Sequence, residues 1–305
     1  MITIVGCGAL GSLFAGALLD TGLPVQGFLR PGAHLEACRR QGLRVVRPDG
    51  EARIYHFPLE DRPENLAPGH LLLVLVKAYQ TADVAPLLPL LLAPGGTVLT
   101  LQNGLGNAEI LVHHVPAEHL ALGSCTYGAF RSAPGEVRWG GAGEIRLGPW
   151  DPSAEVDSLV QVFRRAGLEA HATTTPQQTV WEKAIVNAAI NPVTALARCV
   201  NGQVLQNLAL QNTCRALCEE ATEVARREGY PIEKEILWHR VLAVLEATSK
   251  NRSSMLQDVE HNRRTEVDAI CGAVLDQGTR LGVSLPVISC VTALLRVLDA
   301  QAAER

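Results

Sequence analysis

The sequence predicts an α/β domain built on a parallel sheet, followed by a mainly α-helical domain. Three observations support this order. A glycine-rich turn, Gly6 to Gly11, lies between an apolar strand and an Ala/Leu-rich helix. Two further apolar runs, 71–76 and 97–101, have the length and composition of buried parallel strands. From Pro176 onward the apolar residues recur at helical spacing instead. We therefore predict one domain over residues 1–174 and a second over residues 175–305.

Length and composition fit a globular protein of two ordinary domains. The chain has 305 residues, of which 47% are hydrophobic and 19% charged, enough for a large core. A net charge of -4 gives no reason to expect nucleic acid or an anionic membrane as a partner. Apolar runs stay shorter than the ~18 residues that a membrane span needs. We therefore expect a small-molecule partner.

The cysteines and the N-terminus favour a cytoplasmic protein. The eight Cys are scattered without paired C-x-x-C spacing, and we expect all of them to be reduced thiols. Cys214 and Cys218, four residues apart in an apolar helix, are typical of a core. The chain opens directly into a strand without a basic n-region, so we predict no signal peptide. Ligand spacing for a metal is missing from the His, Cys and Asp positions, so we predict no metal.

The glycine-rich turn has the context that a dinucleotide site requires. The turn consists of Gly6, Cys7, Gly8, Ala9, Leu10 and Gly11, with strand 1–5 before it and helix 12–20 after it. Glycines permit a tight turn and let the backbone approach a pyrophosphate, which rests on the helix N-terminus. A tight turn that binds nothing is the alternative. The context favours a Rossmann-type domain.

Arg30 favours NADP(H) over NAD(H). It follows the second strand, 25–29, at the position where an NAD site carries an acidic residue for the ribose 2′-hydroxyl. A guanidinium cannot accept from a hydroxyl, but it can pair with a 2′-phosphate. A solvent-facing Arg at a strand end is the alternative.

Polar residues follow two more strands of the predicted sheet. Lys77 comes after strand 71–76, and Asn103 comes after strand 97–101. Ligands of open parallel sheets bind beyond the carboxyl ends of the strands, so both are candidates for the cofactor. For Asn103 the alternative is a plain Asn-Gly turn.

The remaining elements are assigned from local patterns. Residues 43–57 alternate around Pro48-Asp49-Gly50 and predict a hairpin, and 120–148 predict antiparallel strands that extend the sheet. A helix over 153–166 and a strand over 168–173 complete the first domain. In the second, Asn201-Gly202 predicts a turn. Helices are expected at 179–192, 211–228, 235–247, from about 253, at 265–281 and at 286–301. The Asn and Ser cluster before the fourth of these predicts its cap near Ser253.

One helix of the second domain carries an unusual polar row. In TVWEKAIVNAAINP, residues 179–192, Lys183, Asn187 and Asn191 are spaced i, i+4, i+8 and share one face. A solvated face is the ordinary explanation, but such faces are normally rich in Glu, Arg and Gln. Asn is a poor helix former, and only four of the 27 basic residues are Lys. The row therefore suggests donors and acceptors aimed at a polar ligand, with a lysine able to yield a proton.

Taken together, these motifs make the chain resemble ketopantoate reductase, also called 2-dehydropantoate 2-reductase, over nearly its whole length. The family has a Rossmann domain and a helical domain. The resemblance implies NADPH-dependent reduction of 2-dehydropantoate to pantoate, in pantothenate biosynthesis. The motifs that carry it are GCGALG at 6–11, VKAYQ at 76–80, LQNG at 101–104, WEKAIVNAAINP at 181–192, NG at 201–202, NRSSMLQD at 251–258 and RTEVD at 264–268.

The resemblance also implies roles for individual residues. Lys183 is the implied general acid, and Glu266 is implied beside it as either an acceptor for a substrate hydroxyl or a partner of Lys183. The implied substrate-binding residues are Asn103, Asn187, Asn191, Asn201, Asn251 and Ser254. The implied cofactor-binding residues are Gly6 to Gly11, Arg30, Lys77, Gln80 and Asn103.

Two other functions compete with this one. The first is an NADP-dependent reductase or dehydrogenase for another 2-oxo acid. The second is a non-catalytic NADP(H)-binding sensor, which loss of the polar row would favour; here that row is present. The sequence leaves the oligomeric state open, a homodimer included.

Overall fold

The computed structural model describes residues 1–303, and these divide into two compact units. The first comprises Met1–Gln102 and Asn107–Thr179, and the second comprises Asn103–Gly106 and the chain from Val180 onward. The first unit is built on a largely parallel sheet and the second on helices. The predicted fold class is therefore confirmed.

The first unit contains two sheets. The larger has eight strands in the order β12-β11-β8-β7-β6-β1-β2-β5, and the smaller has the order β4-β3-β10-β9. In the larger sheet every neighbouring pair is parallel except β11 with β8. The strands are β1 (Ile2–Val5), β2 (Val25–Phe28), β3 (Leu43–Val46), β4 (Ala52–Tyr55), β5 (Leu59–Glu60), β6 (Gly69–Val74), β7 (Leu92–Thr100), β8 (Leu120–Cys125), β9 (Ala129–Ala133), β10 (Glu136–Trp139), β11 (Ile145–Pro149) and β12 (Ala170–Ala172).

Six α-helices accompany these sheets. The central strands β1 and β6 are buried except at His70, as expected where both faces of a parallel sheet are covered. Phe14 and Phe163 are fully buried, with ring centroids 5.7 Å apart, and Phe14 also meets Tyr127 edge-on. The helices are α1 (Ala9–Leu19), α2 (Ala33–Gln41), α3 (Thr81–Val84), α4 (Leu88–Leu91), α5 (Asn107–Leu111) and α6 (Asp157–Arg165).

The strands between residues 120 and 148 differ from the prediction. The hairpin around Pro48-Asp49-Gly50 is confirmed as β3 and β4. However, β9 and β10 do not extend the main sheet: β10 pairs with β3 in the smaller sheet. Only β8 and β11 join the larger one. Local alternation identifies strands but not which distant strand each one pairs with.

The second unit is helical. Its core combines Trp181 and Ile185 with Cys214, Cys218 and residues of the later helices, so the two cysteines are core residues as predicted. The helices are α7 (Pro176–Ala197), α8 (Asn201–Leu205), α9 (Leu208–Arg227), α10 (Lys234–Ala247), α11 (Ser254–Glu260), α12 (Ala273–Arg280) and α13 (Pro286–Ala303), with a π-helical turn at Asp268–Gly272.

Two predicted boundaries in this unit were wrong. The helix predicted to end at Pro192 continues to Ala197, with Pro192 inside it. Proline forfeits one backbone hydrogen bond there, but Val193 and Ala195 beyond it are buried, and this packing keeps the helix going. The helix predicted from Thr265 begins as the π-helical turn at Asp268.

The Asn201-Gly202 pair begins α8 rather than forming a free turn. Gly202 donates its N–H to the Ser249 carbonyl at 2.8 Å, and a Cβ atom on Gly202 would lie 2.8 Å from Ser249 Cβ. The glycine is therefore required by a close approach of two chain segments, which has the same sequence signature as a turn.

Membrane and redox features are limited. Among residues 1–303, one helix, α13, is long and apolar enough to cross a membrane, with a mean hydropathy of 1.3. A single such helix is weak evidence, because core helices of globular proteins meet the same criterion. The eight cysteines, all within the described range, are free thiols, and seven of them are buried.

The aromatic core of the first unit generates a stability prediction. Replacing Phe163, which is fully buried, with Ala should lower the free energy of unfolding by about 3–5 kcal/mol, through lost burial and an unfilled cavity. Phe130→Ala is the matched control, because its side chain is 42% exposed and should cost far less. Urea denaturation of both variants measures the difference, and equal losses would contradict this description of the core.

Candidate active site

The glycine-rich turn lies at the carboxyl end of β1, and its glycines are required by close approaches. Gly6 has a φ of 103°, and a Cβ atom there would lie 2.6 Å from the Val76 backbone nitrogen. A Cβ atom on Gly11 would lie 2.2 Å from the Gly6 carbonyl oxygen. Beside Gly8, in contrast, the space is open. Two glycines therefore form the turn, and the third leaves room for a ligand against the backbone.

Arg30 is held in place by Gln80. With the Gln80 amide oriented so that its oxygen faces the guanidinium, Oε1 accepts from Arg30 Nη1 at 2.8 Å and from Nε at 3.0 Å. Gln80 is buried, and its backbone N–H donates to the Lys77 carbonyl at 2.8 Å. The end of β2 and the segment after β6 are thus tied together, so Arg30, Lys77 and Gln80 belong to one cluster.

Gln102 links the ends of β6 and β7, and sequence reasoning did not assign it a role. It is buried, and its Nε2 donates to the Val76 carbonyl at 2.9 Å and to Thr81 Oγ1 at 2.8 Å. Its Oε1 accepts from Thr100 Oγ1 at 3.0 Å. These partners are 2 to 26 positions away along the chain, which is why no local pattern revealed them.

Asn103 belongs to the second unit, where it meets Glu266. Its Nδ2 lies 3.3 Å from Glu266 Oε2, and Glu266 is buried. The next residue, Gly104, has a φ of 84°, and a Cβ atom there would lie 2.5 Å from the Ala269 carbonyl oxygen. The predicted Asn-Gly signature is thus a docking point against the π-helical turn, and π-helical segments often accompany functional sites.

Asp299 fixes the segment that carries Glu266. It accepts from the Thr265 N–H and from Thr265 Oγ1, both at 2.9 Å, and Thr265 Oγ1 in turn accepts from the Val267 N–H at 3.2 Å. Burial raises the pKa of the Asp299 carboxyl, and the two bonds from Thr265 partly offset this. The residues on both sides of Glu266 are therefore anchored. Sequence reasoning missed Asp299 because it lies 33 positions from Glu266.

The polar row of α7 is graded in exposure. Lys183 and Asn187 are half-buried, and Asn191 is 6% exposed. The neighbouring face, including Ala184, Ile185 and Ala188, is fully buried in the core of the second unit. A solvated face would leave all three polar side chains exposed, so this row is not an ordinary solvated face.

Asn201 presents an acceptor whose needs the protein does not meet. Its Nδ2 donates to Thr248 Oγ1 at 2.8 Å, and its backbone N–H donates to the Asn251 carbonyl at 3.0 Å. Its side-chain Oδ1 is buried, and within residues 1–303 nothing donates to it. Such a group costs free energy unless another molecule supplies the donor.

Ser253 caps α11, which leaves Ser254 outside that role. Ser253 Oγ accepts from the Leu256 N–H at 3.1 Å and from Thr194 Oγ1 at 2.8 Å. Thr194 lies one turn beyond Asn191, so α7 and the start of α11 are joined there. Ser254 is exposed. The cap predicted near Ser253 is confirmed, and Ser254 is available for another function.

The structure thus gathers the predicted residues into groups. In the first unit, the turn Gly6–Gly11 and the cluster of Arg30, Lys77 and Gln80 lie at the carboxyl ends of adjoining strands. In the second unit, Asn103 joins Glu266, and Asn201 joins Asn251. The row of Lys183, Asn187 and Asn191 lies on α7, and Ser254 opens α11.

Family models and full-length relatives match this chain. The family model described as ketopantoate reductase PanE/ApbA matches residues 2–152, and the model of its C-terminal part matches residues 176–299. The 2-dehydropantoate 2-reductase of Halobacterium salinarum is 37% identical, with 97% of this chain and 98% of that protein covered. The enzyme of the same name from Archaeoglobus fulgidus is also 37% identical, with 98% and 97% covered.

Solved structures share the architecture. The 2-dehydropantoate 2-reductase of Geobacter metallireducens superposes with a TM-score of 0.90 at 30% identity, covering 97% of this chain and 98% of its own. A D-mandelate dehydrogenase solved with NADH and anilino(oxo)acetate has a TM-score of 0.94, covering 99% of each chain. At 23% identity that likeness concerns the fold alone. Two family models and full-length relatives establish that this chain belongs to the ketopantoate reductase family.

Proposed function

We propose that this chain catalyses the NADPH-dependent reduction of 2-dehydropantoate to pantoate, a step of pantothenate biosynthesis. The observation that carries the proposal is the buried-to-half-buried row of Lys183, Asn187 and Asn191 in a chain 37% identical to full-length 2-dehydropantoate 2-reductases. A non-catalytic sensor has no need of that row. The first unit binds the cofactor in this proposal, and the second binds substrate.

The residues of the first unit fit a nicotinamide dinucleotide. The open space beside Gly8 leaves room for a pyrophosphate at the N-terminus of α1, an 11-residue helix whose first turn lacks acidic groups. Arg30, held by Gln80, offers a fixed guanidinium to a 2′-phosphate. Lys77, in the same segment as Gln80, offers an ammonium. Asn103, in the second unit, is also a proposed cofactor-binding residue. When bound, NADPH supplies the hydride that the 2-oxo carbon receives.

Lys183 is the proposed general acid. As the 2-oxo carbon is reduced, negative charge develops on its oxygen, and an ammonium at that oxygen both stabilises the charge and supplies the proton. Lys183 is half-buried on a regular stretch of α7, so its backbone position is fixed. Lysine suits this step better than arginine, because a guanidinium keeps its proton.

The amides and Glu266 are proposed to recognise the substrate. Asn187, Asn191 and Asn251 are neutral groups suited to a carboxylate and hydroxyls, as is Ser254. The unsatisfied Oδ1 of Asn201 can accept from a substrate hydroxyl, and that bond would remove its cost. Glu266, which already accepts from Asn103, is proposed as a second hydroxyl acceptor. We place the enzyme in the cytoplasm, where its eight free thiols would stay reduced.

The first prediction concerns cofactor choice. Arg30→Ala should weaken NADPH binding roughly 10- to 150-fold, the equivalent of ~1.5–3 kcal/mol for a charge-assisted hydrogen bond. NADH binding should change little, because NADH has no 2′-phosphate. Fluorescence titration of both cofactors measures this. Arg40→Ala is the control, since Arg40 is also an exposed arginine, in the last turn of α2. An equal loss for both cofactors would show that Arg30 does not bind the 2′-phosphate.

The second prediction concerns the substrate. The kcat/KM for 2-dehydropantoate should exceed that for 2-oxoisovalerate and pyruvate, which lack its terminal hydroxyl. A site built to hydrogen-bond a hydroxyl rejects such analogues because its own polar groups, here Asn201 Oδ1, are left unpaired. NADPH oxidation is followed across a panel of 2-oxo acids. Comparable values for 2-oxoisovalerate would assign the enzyme to another 2-oxo acid.

The third prediction concerns the general acid. Lys183→Ala should lower kcat by about 10²–10⁴, the usual contribution of general acid catalysis, while NADPH still binds. Loss in kcat is expected because the bond to the oxygen strengthens in the transition state. Lys183→Arg should not restore the rate.

A matched control for Lys183 is available in the same unit. Lys234 pairs with Glu223 at 2.9 Å on the surface, and Lys234→Ala should leave kcat unchanged. Turnover of Lys183→Ala close to that of the wild type would rule out its role as the acid.

A further inference from the structure

His34 is a buried side chain that the proposed site does not use. It is the second residue of α2 and is 6% exposed. Its Nδ1 accepts from the Gly135 N–H at 2.9 Å, in the turn between β9 and β10. An acceptor nitrogen carries no proton, so the neutral ring carries its proton on Nε2.

The other ring nitrogen reaches the glycine-rich turn. Nε2 lies 3.3 Å from Ser12 Oγ, to which it donates, and Ser12 Oγ donates to the Cys7 carbonyl at 3.1 Å. Ser12 and Cys7 are both buried. A chain of hydrogen bonds therefore runs from Gly135 through His34 and Ser12 to the middle of the turn.

The donors and acceptors in this series of hydrogen bonds are fixed by the charge state of His34. Burial lowers the pKa of His34 to about 4; the nearby positive charge of Arg131 adds to this, and the Cys7 carbonyl partly offsets it. The ring is therefore neutral near pH 7. A protonated ring would donate from both nitrogens and could not accept from Gly135.

We propose that His34 is a positioning residue for the cofactor, which through Ser12 holds the Cys7 carbonyl inward and so sets the shape of the turn Gly6–Gly11. The inference rests on the proposed binding of NADPH to that turn. Backbone N–H groups attract a phosphate, whereas a carbonyl oxygen turned toward it repels it. Holding one carbonyl inside the protein removes that repulsion before the cofactor arrives.

The inference differs from the role of Arg30 in a measurable way. His34 acts on the turn, which would hold the pyrophosphate that NADPH and NADH share. Removing its hydrogen bonds should therefore weaken both cofactors, whereas Arg30→Ala weakens NADPH alone. The substrate KM and kcat should change little at saturating cofactor, because the second unit keeps all its groups.

The experiment measures Kd for NADPH and NADH by fluorescence titration, together with Tm, for four variants of the full chain. His34→Leu keeps the bulk but not the polar atoms, and should raise both Kd values about 5- to 30-fold. His34→Gln retains an acceptor and a donor and should recover most of the affinity. Ser12→Ala should act in the same direction. Gln26→Leu is the matched control, because it removes a buried hydrogen-bonded side chain elsewhere in the first unit.

The outcomes separate a positioning role from a merely structural one. A lowered Tm with unchanged Kd in His34→Leu, as expected for Gln26→Leu, would overturn the inference. If His34→Leu does not fold, an unchanged Kd in Ser12→Ala overturns it as well. A wild-type protein that binds NADPH but does not reduce 2-dehydropantoate would contradict the proposed function alone, and weaker binding by the variants would still support His34.

Discussion

The first unit depends on the approach of two backbone segments at the carboxyl ends of β1 and β6. A Cβ atom at Gly6 would lie 2.6 Å from the Val76 nitrogen, so only glycine lets the turn lie against the segment after β6. The Val76 carbonyl is bound on its other side by Gln102 at 2.9 Å. Because Val76 immediately precedes Lys77, the same approach fixes the backbone position of Lys77 and of the first residue of the turn. The residues proposed to bind the cofactor are therefore positioned by backbone geometry.

Polar side chains that support the proposed sites of both units are hydrogen-bonded on their polar atoms. Gln102, Thr265 and Asp299 have partners at 2.8 to 3.4 Å on their polar atoms. Asn201, by contrast, keeps one buried oxygen without a donor among the described residues. An unsatisfied buried acceptor costs about 1–3 kcal/mol, so a folded protein retains one only where something else repays the cost. In the proposed function, a substrate hydroxyl supplies the missing donor to Asn201.

The sequence predicted features that depend on neighbours along the chain. The turn at Gly6–Gly11, the hairpin around Pro48-Asp49-Gly50 and the cap at Ser253 each have a local physical cause, and all three are present. The sequence-based predictions were wrong where packing against a distant segment determines the local structure. Pro192 continues a helix because the residues after it are buried, and Asn201-Gly202 opens a helix because Ser249 lies against it.

The same distinction applies to the site. Residues proposed to meet a ligand stand in recognisable motifs, whereas some of the residues that hold them do not. His34 and Asp299 bind partners up to 101 positions away, so single-sequence patterns give them no signal.

The two carboxylates near the π-helical turn, Asp299 and Glu266, have different hydrogen-bond partners. Asp299 is committed to Thr265 through both oxygens, whereas Glu266 is bound through Oε2 to the amide of Asn103, a neutral group that a ligand can displace or share. Burial raises the pKa of Asp299, so its charge costs free energy at neutral pH, and that cost falls as it is protonated. An acid that is expensive to bury is retained here because it fixes the backbone on one side of Glu266. The position of Glu266 is thus maintained at a cost in free energy at Asp299, which lies in α13 outside the motifs that the sequence displays.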